Sequence, residues 1–133
     1  MELNYKAAEK ALNAARERAL SMNIPVSIAV VDSGGHLVAL ARLDSVYGVI
    51  DFAIKKAKTA VMFGLNSDIM GEIISETGIH SYGMLNSNEG LLTIAGGVVL
   101  KDTGGKIIGA IGSSGGTPAQ DKEIAEAGAR AMA

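Results

Sequence analysis

The chain has 133 residues, of which 48% are hydrophobic and 20% are charged, a composition that suits one globular domain and excludes intrinsic disorder. Twelve Lys and Arg against fourteen Asp and Glu give a net charge of −2, which argues against nucleic acid as a partner because phosphate binding needs clustered positive charge. Cysteine is absent, so disulfides, thiolate metal sites and a cysteine nucleophile are excluded. We predict a single domain over residues 1–133.

The chain shows no sign of a targeting or membrane segment. Its N-terminal residues lack the basic stretch and following apolar stretch of a secretory signal. The most apolar run, Leu91 to Leu100, is half the length of about 20 residues that a membrane helix needs. We therefore predict a cytoplasmic protein without a membrane partner, although the sequence leaves open whether a leader was removed from a longer precursor.

The first third of the chain predicts a helix followed by a β-hairpin. Alanine and leucine recur at helical spacing between Asn4 and Met22, and Pro25 ends that helix. A β-branched run from Val26 to Val31 predicts a strand. The turn residues 32–35, with the sequence Asp-Ser-Gly-Gly, then lead into a second strand from His36 to Leu43.

The middle of the chain predicts two helices and a long irregular segment. Asp44 or Ser45 can cap a helix that runs to about Phe63. A third, shorter helix is predicted from Ser67 to about Ile74. Residues 76–90 show no clear period, and a segment of this length in a compact domain is usually functional or partly helical.

The last third predicts three strands and a helix. The strands are expected at Leu91 to Ala95, Val98 to Lys101 and Lys106 to Ser113. Thr117, followed by Pro at the first helical position and Gln at the third, is a capping box that starts the last helix. The element order α-β-β-α-α-β-β-β-α with short connections predicts an α+β fold whose five-stranded sheet is antiparallel.

Three stretches of the sequence together resemble the GlcG/HbpS family, which also supplies the C-terminal domain of PduO-type proteins. These stretches are Pro25 to Val38 with Arg42 and Asp44, then Ala53 to Phe63, and finally Gly96 to Gly128. The resemblance implies a profilin-like, three-layer α/β/α fold with a five-stranded antiparallel sheet, and it implies a homo-oligomer. It also implies haem as a ligand, and a link to glycolate utilisation or to cobalamin-linked diol and glycerol metabolism.

A glycine-rich turn between the last strand and the last helix is the strongest candidate binding site. A turn of this kind presents backbone N–H groups beside a helix N-terminus, which favours a carboxylate, a phosphate or a haem propionate. The alternative is a tight turn whose glycines only allow close packing. The residues of this candidate anion site are Gly112, Ser113, Ser114, Gly115, Gly116 and Thr117.

Three further residues are candidate cofactor ligands. His36 follows the glycines of the first hairpin, and His80 and Tyr82 lie in the irregular segment. Histidine is a good axial ligand for haem iron, but each of these residues can equally be an ordinary surface residue. No metal-ligand spacing and no catalytic set emerge from the sequence, so we predict no metal site and assign no catalytic residue.

Charged residues of the second predicted helix are interpreted as structural. Lys55, Lys56 and Lys58 are expected to form a solvated helix face, with Asp51 one turn before Lys55 and able to pair with it. The alternative is a basic patch that contacts an acidic ligand or partner.

Three functions remain open at this point. The first is an oligomeric accessory protein that binds a small acidic molecule or a tetrapyrrole. The second is an enzyme acting on a small carbonyl, hydroxy-acid or haem substrate, with His36, His80 or Tyr82 as acid or base. The third is a structural or regulatory partner of a metabolic complex with no ligand of its own.

Overall fold

Helices and strands follow one another largely in the predicted order. The computed structural model describes residues 2–132, so Met1 and Ala133, the two ends of the predicted domain, lie outside it. The helices are α1 (Tyr5–Met22), α2 (Gly48–Phe63), α3 (Ser67–Thr77) and α4 (Pro118–Arg130). The strands are β1 (Ser27–Asp32), β2 (Leu37–Arg42), β3 (Gly97–Lys101) and β4 (Ile107–Ser114). Within the described range, no helix is long and apolar enough to cross a bilayer.

The strands form one antiparallel sheet in the order β2-β1-β4-β3. Its centre is the pairing of β1 with β4, in which Ile28 lies opposite Ser113. On the far side of β4, Val98 of β3 lies opposite Ile111. Strand β4 is therefore a central strand, and its C-terminal end lies beside the first residues of both β1 and β3.

Helices cover both faces of this sheet. Small residues of α1, among them Ala11 and Ala15, are fully buried with Ile124 of α4 against one face. Ala57 and Ala60 of α2 are buried against the other face, with Val31 and Ala110. The domain is therefore the expected three-layer α/β/α arrangement, and its narrow alanine-rich helix faces explain why few aromatic residues are needed to fill the core.

Glycines let α2 lie directly on the sheet. A Cβ built at Gly112 of β4 would collide with the carbonyl oxygen of Ala53, and one at Gly97 of β3 would collide with the carbonyl oxygen of Lys56. No side chain larger than hydrogen fits between the helix backbone and the strands at these two points. This close approach brings Lys56 to the end of β4, where the candidate site lies.

The predicted fifth strand, Leu91 to Ala95, is absent from the four-stranded sheet, so the prediction of five strands is wrong. Helix side chains satisfy the backbone of this segment instead. The Leu92 N–H donates to Thr59 Oγ1 at 3.0 Å, and the Ile94 carbonyl accepts from Ser67 Oγ at 2.7 Å. At these two points, helix side chains take the place of a neighbouring strand as the hydrogen-bond partners of the backbone.

The edge of β3 is closed by the start of α3. The Gly97 N–H donates to Ser67 Oγ at 2.9 Å, and the Val99 N–H donates to Asn66 Oδ1 at 3.1 Å. These are the outward-facing donors that a fifth strand at this edge would use.

Helix boundaries differ from the sequence predictions at three places. Helix α2 begins at Gly48 without a side-chain cap, because the buried Ser45 hydroxyl bonds to Ser27 Oγ at 2.7 Å. Helix α3 extends to Thr77, and residues 78–89 form a 3-10 segment with a kink at its end. The capping box at the start of α4 is confirmed.

Candidate functional site

The glycine-rich turn joins β4 to α4 at the end of the sheet. Gly115 has a φ of +132°, a conformation that favours glycine, and the carbonyl oxygen of Pro25 lies 2.7 Å from the position of a Cβ there. The Gly116 N–H donates to Asp121 Oδ1 at 3.0 Å, and the Thr117 N–H donates to Gln120 Oε1 at 2.9 Å. Two donors of the turn are thus occupied within α4, and anion binding here stays a prediction.

Below this turn lies a buried ion pair. Lys56 Nζ of α2 is 3.0 Å from Asp121 Oδ2 of α4, and the two side chains are only 2% and 3% exposed. The same ammonium donates to the Ser113 carbonyl oxygen at 3.0 Å. The pair therefore connects the helices on opposite faces of the sheet around the end of β4.

The prediction that Lys56 belongs to a solvated helix face is wrong. Lys55 and Lys58 are only partly buried or exposed, but Lys56 is among the largest fully buried side chains. One signal in the sequence indicates this burial: Lys56 is three residues after Ala53 and precedes Ala57, so it lies in the apolar stripe of the helix. Lys55 donates to the Glu89 carbonyl at 2.7 Å, where the sequence predicted Asp51 as a neighbour.

A cavity of about 270 Å³ opens beside the ion pair. Its polar wall is formed by Lys56, Asp121 and three residues of the glycine-rich turn, namely Ser114, Gly115 and Gly116. Its apolar wall is formed by Val49, Phe52, Ile94 and Pro118. Phe52 and Ile94 are 45% and 46% exposed, so exposed apolar surface lies beside a polar wall whose Lys56 and Asp121 side chains are buried. We call this the sheet-end cavity.

Ser113, another predicted site residue, has a buried hydroxyl without a hydrogen-bond partner. Ser113 is 0% exposed, and only its carbonyl takes part in the ion-pair network. We expect Ser113→Ala to raise the free energy of unfolding by about 1 kcal/mol, because an unpaired buried hydroxyl is costly. Urea denaturation followed by circular dichroism measures the change.

Ser27→Ala is the matched control for this prediction. Ser27 is equally buried on the neighbouring strand β1, but its hydroxyl bonds to Ser45 Oγ. Its removal is expected to destabilise the fold by about 1–2 kcal/mol. If the two alanine variants shifted stability in the same direction by the same amount, the unpaired state of the Ser113 hydroxyl would be contradicted.

His36 lies at the turn between β1 and β2, at the opposite end of the sheet from the glycine-rich turn. Asp32 Oδ1 accepts hydrogen bonds from the Gly34 N–H at 3.0 Å and from the His36 N–H at 2.9 Å, and it lies 3.3 Å from His36 Nδ1. Burial works to raise the pKa of Asp32, but these hydrogen bonds and the nearby imidazole outweigh it and lower the pKa below its ordinary value. Asp32 is therefore ionised at neutral pH.

The second hairpin contains the same turn. Asp102 Oδ1 accepts from the Gly104 and Lys106 N–H groups at 2.9 and 3.0 Å, as Asp32 does from the corresponding residues. The two Asp-x-Gly-Gly sequences, at residues 32–35 and 102–105, therefore form the same hydrogen-bonded turn. The first turn also places the His36 imidazole beside its carboxylate.

A cavity of about 370 Å³ lies beside His36. It is lined by Gly34, Gly35, His36, Lys58, Met62, Asn88 and Glu89. The His36 side chain is 82% exposed, and Asp32 Oδ1 lies beside Nδ1, so Nε2 is the ring nitrogen that does not face this carboxylate. We call this the hairpin cavity.

His80 and Tyr82, the other two predicted ligands, are exposed on the 3-10 segment. Neither residue lines the sheet-end cavity or the hairpin cavity. The structure therefore separates the candidates into the turn at one end of the sheet, His36 at the other, and His80 with Tyr82 on the surface.

Comparison with known proteins places this three-layer domain in a family. The family model described as "Haem degrading protein HbpS-like" matches residues 3–130, and the chain belongs to this HbpS-like family. Among relatives, the chain is 35% identical over 125 residues to an uncharacterized 15.0 kDa protein in the dhaT-dhaS intergenic region of Citrobacter freundii, covering 93% of this chain and 87% of that protein.

Two further comparisons extend this result. The chain is 37% identical over 115 residues to the protein GlcG of Escherichia coli K12, covering 84% of this chain and 81% of GlcG. Among solved structures, it superposes on a PduOC:heme complex with a TM-score of 0.88 at 27% identity, covering 98% of this chain and 95% of that one. The predicted resemblance to GlcG, HbpS and the PduO C-terminal domain is thus confirmed.

Proposed function

We propose that this chain is an oligomeric, small-ligand-binding accessory protein whose ligand is haem or another tetrapyrrole. The observation that carries the proposal is the His36 imidazole, exposed at the edge of the hairpin cavity with its Nδ1 beside the Asp32 carboxylate. Histidines that bind a metal usually donate their second ring N–H to such an acceptor. The structural relative described as a heme complex supports the same ligand class.

The residues around His36 fit such a ligand. His36 Nε2 is the nitrogen that would bind the iron, and Asp32 fixes the orientation and tautomer of the ring. Lys58 supplies a positive charge for a propionate, and Met62 supplies an apolar contact. Bound haem supplies a redox-active iron centre, and the role of this chain is to hold and orient it.

The small size of the hairpin cavity supports a homo-oligomer in which two copies share the ligand. About 370 Å³ is near the lower end of the range of roughly 300–1,000 Å³ for ligand pockets, so one chain covers only part of a tetrapyrrole. Large apolar side chains are exposed elsewhere, with Leu37 at 48%, Val46 at 72% and Tyr47 at 81%. Exposed apolar surface of this kind is typical of subunit contacts, which supports a homo-oligomer in which a second copy covers the ligand.

The proposed link to a metabolic pathway is supported only by similarity to other family members. The similarity to GlcG supports a link to glycolate metabolism, and the similarity to PduO-type domains supports a link to diol or glycerol metabolism.

A spectroscopic hemin titration tests the proposed ligand. We expect a saturable Soret shift for the wild-type chain, with affinity at least about 10-fold weaker in His36→Ala because the axial nitrogen is lost. Asp32→Asn keeps an acceptor for both backbone N–H groups and removes only the charge beside the ring. It is expected to weaken hemin binding by about 10-fold, the lower end of the effect of changing a partner of a metal ligand.

His80→Ala is the matched control, since His80 is also an exposed histidine but has no carboxylate partner among residues 2–132. Its hemin affinity should equal that of the wild type. Loss of the Soret shift in His80→Ala but not in His36→Ala would move the iron ligand to the 3-10 segment. The absence of any saturable shift in the wild-type chain would exclude haem, and sedimentation on the same samples tests the oligomer.

A further inference from the structure

The sheet-end cavity contains a hydrogen-bond donor that the protein does not use. A lysine ammonium has three N–H groups. One N–H of Lys56 donates to Asp121 Oδ2 and another donates to the Ser113 carbonyl oxygen, each at 3.0 Å. Among residues 2–132 no third acceptor lies within hydrogen-bond distance, although the side chain is only 2% exposed and lines the cavity. A buried donor of this kind favours a ligand that brings an oxygen acceptor to it.

The charges around the cavity select a neutral acceptor. Lys56 and Asp121 cancel each other, and the Asp121 carboxylate shares the cavity wall with the ammonium. The Gly116 N–H is already bonded to Asp121, and the Thr117 N–H is bonded to Gln120. A carboxylate or phosphate entering here would lose its hydration and face the like charge of Asp121, while these two turn N–H groups are already bonded. A carbonyl or amide oxygen accepts the same N–H without that cost.

The remaining walls suit a short carbon chain. Val49, Phe52, Ile94 and Pro118 line the cavity with apolar surface. A cavity of about 270 Å³ accommodates a molecule of a few carbon atoms, and it is too small for a tetrapyrrole.

We propose that the sheet-end cavity is a binding site for a small neutral carbonyl compound, whose oxygen accepts the third N–H of Lys56 and whose alkyl group contacts Phe52 and Val49. This site lies at the opposite end of the sheet from His36, and the proposal does not depend on haem binding.

A matched pair of probes tests the proposal on the full chain. Isobutyramide and isobutyrate have nearly the same shape, but only isobutyrate is charged. We expect isobutyramide to shift the amide signals of Gly115 and Gly116 saturably in a nitrogen–proton correlation spectrum. Isobutyrate is expected to bind at least about 10-fold more weakly, because it meets the Asp121 carboxylate. Equal or tighter binding of isobutyrate would overturn the neutral selectivity and support the anion site predicted from the sequence.

Variants locate the binding. The double variant Lys56→Met with Asp121→Asn removes both charges together and keeps an amide oxygen for the Gly116 N–H, and it should lose the isobutyramide shifts. Lys55→Met, one residue earlier on α2 and outside the cavity lining, should keep them. Val49→Phe fills the apolar part without touching the ion pair, and it should abolish binding even if the double variant fails to fold. Unchanged shifts in Val49→Phe, or no saturable shift in the wild-type chain, would overturn the proposal.

Discussion

Lys56→Met is expected to lower the free energy of unfolding by about 3–5 kcal/mol, because it leaves the Asp121 carboxylate buried beside an apolar side chain. In the native chain this carboxylate accepts one hydrogen bond from Lys56 Nζ to Oδ2 at 3.0 Å and one from the Gly116 N–H to Oδ1 at 3.0 Å. The loss of the ammonium also leaves the Ser113 carbonyl without its donor from α2. Urea denaturation at neutral pH measures the change.

The double variant Lys56→Met with Asp121→Asn separates two contributions to the free energy of unfolding. One is the destabilisation by an unpaired buried charge, and the other is the net stabilisation by the ion pair. Buried ion pairs often contribute little compared with neutral residues of similar volume, so the double variant is expected to recover most of the loss. A double variant as unstable as the single one would show that the pair itself, and not the unpaired charge, stabilises the fold.

Lys122→Met is the control for burial. Lys122 Nζ is 2.8 Å from Asp68 Oδ2, a shorter distance than in the buried pair, but the two side chains are 38% and 19% exposed. Since partly exposed pairs contribute about 0–1 kcal/mol, this variant should be close to the wild type in stability. Equal losses in Lys122→Met and Lys56→Met would contradict the account based on burial.

Gly112→Ala is the second substitution with a large expected effect, a loss of about 3 kcal/mol of unfolding free energy. The new Cβ would collide with the Ala53 carbonyl oxygen and lie 2.9 Å from the Ala57 backbone nitrogen. Because both atoms belong to the backbone of α2, no side-chain rotation relieves the collision and the helix must move away from β4. Thermal and urea denaturation both report this loss.

Gly48→Ala, in the helix that Gly112 contacts, provides the comparison. A Cβ at Gly48 meets no atom within 4 Å, and alanine favours helix more than glycine by up to about 1 kcal/mol. This variant is therefore expected to be as stable as the wild type or slightly more stable. A loss at Gly48 comparable to that at Gly112 would show that glycine has another role in α2.

The sequence predicts elements well where the signal is local. The capping box at Thr117 and the turn at residues 32–35 depend on residues within five positions of one another, and each forms as predicted. The segment from Leu91 to Ala95 has the residues of a strand, but its backbone partners come from Thr59 and Ser67 far along the chain. Composition cannot reveal such partners.

The candidate site was predictable only in part. The glycines at 115 and 116 point to the turn that lines the sheet-end cavity, but in the sequence Lys56 resembles its neighbouring surface lysines. Its partner Asp121 is 65 positions away, and only the fold brings the two residues together. In the same way, nothing in the sequence distinguishes His36 from His80 except the preceding Asp-x-Gly-Gly turn, which places a carboxylate beside one imidazole.

The closed edge of β3 limits how copies of this chain can associate. Because Asn66 and Ser67 occupy the outward N–H groups of Val99 and Gly97, a strand from another molecule cannot continue the sheet there without displacing them. The outer edge of β2 pairs with no strand in the described chain, so sheet continuation between copies is limited to β2. Two copies joined at β2 would form an eight-stranded sheet with a closed edge at each end. Such a pair would offer no open strand edge, so it could not grow into a filament by adding strands.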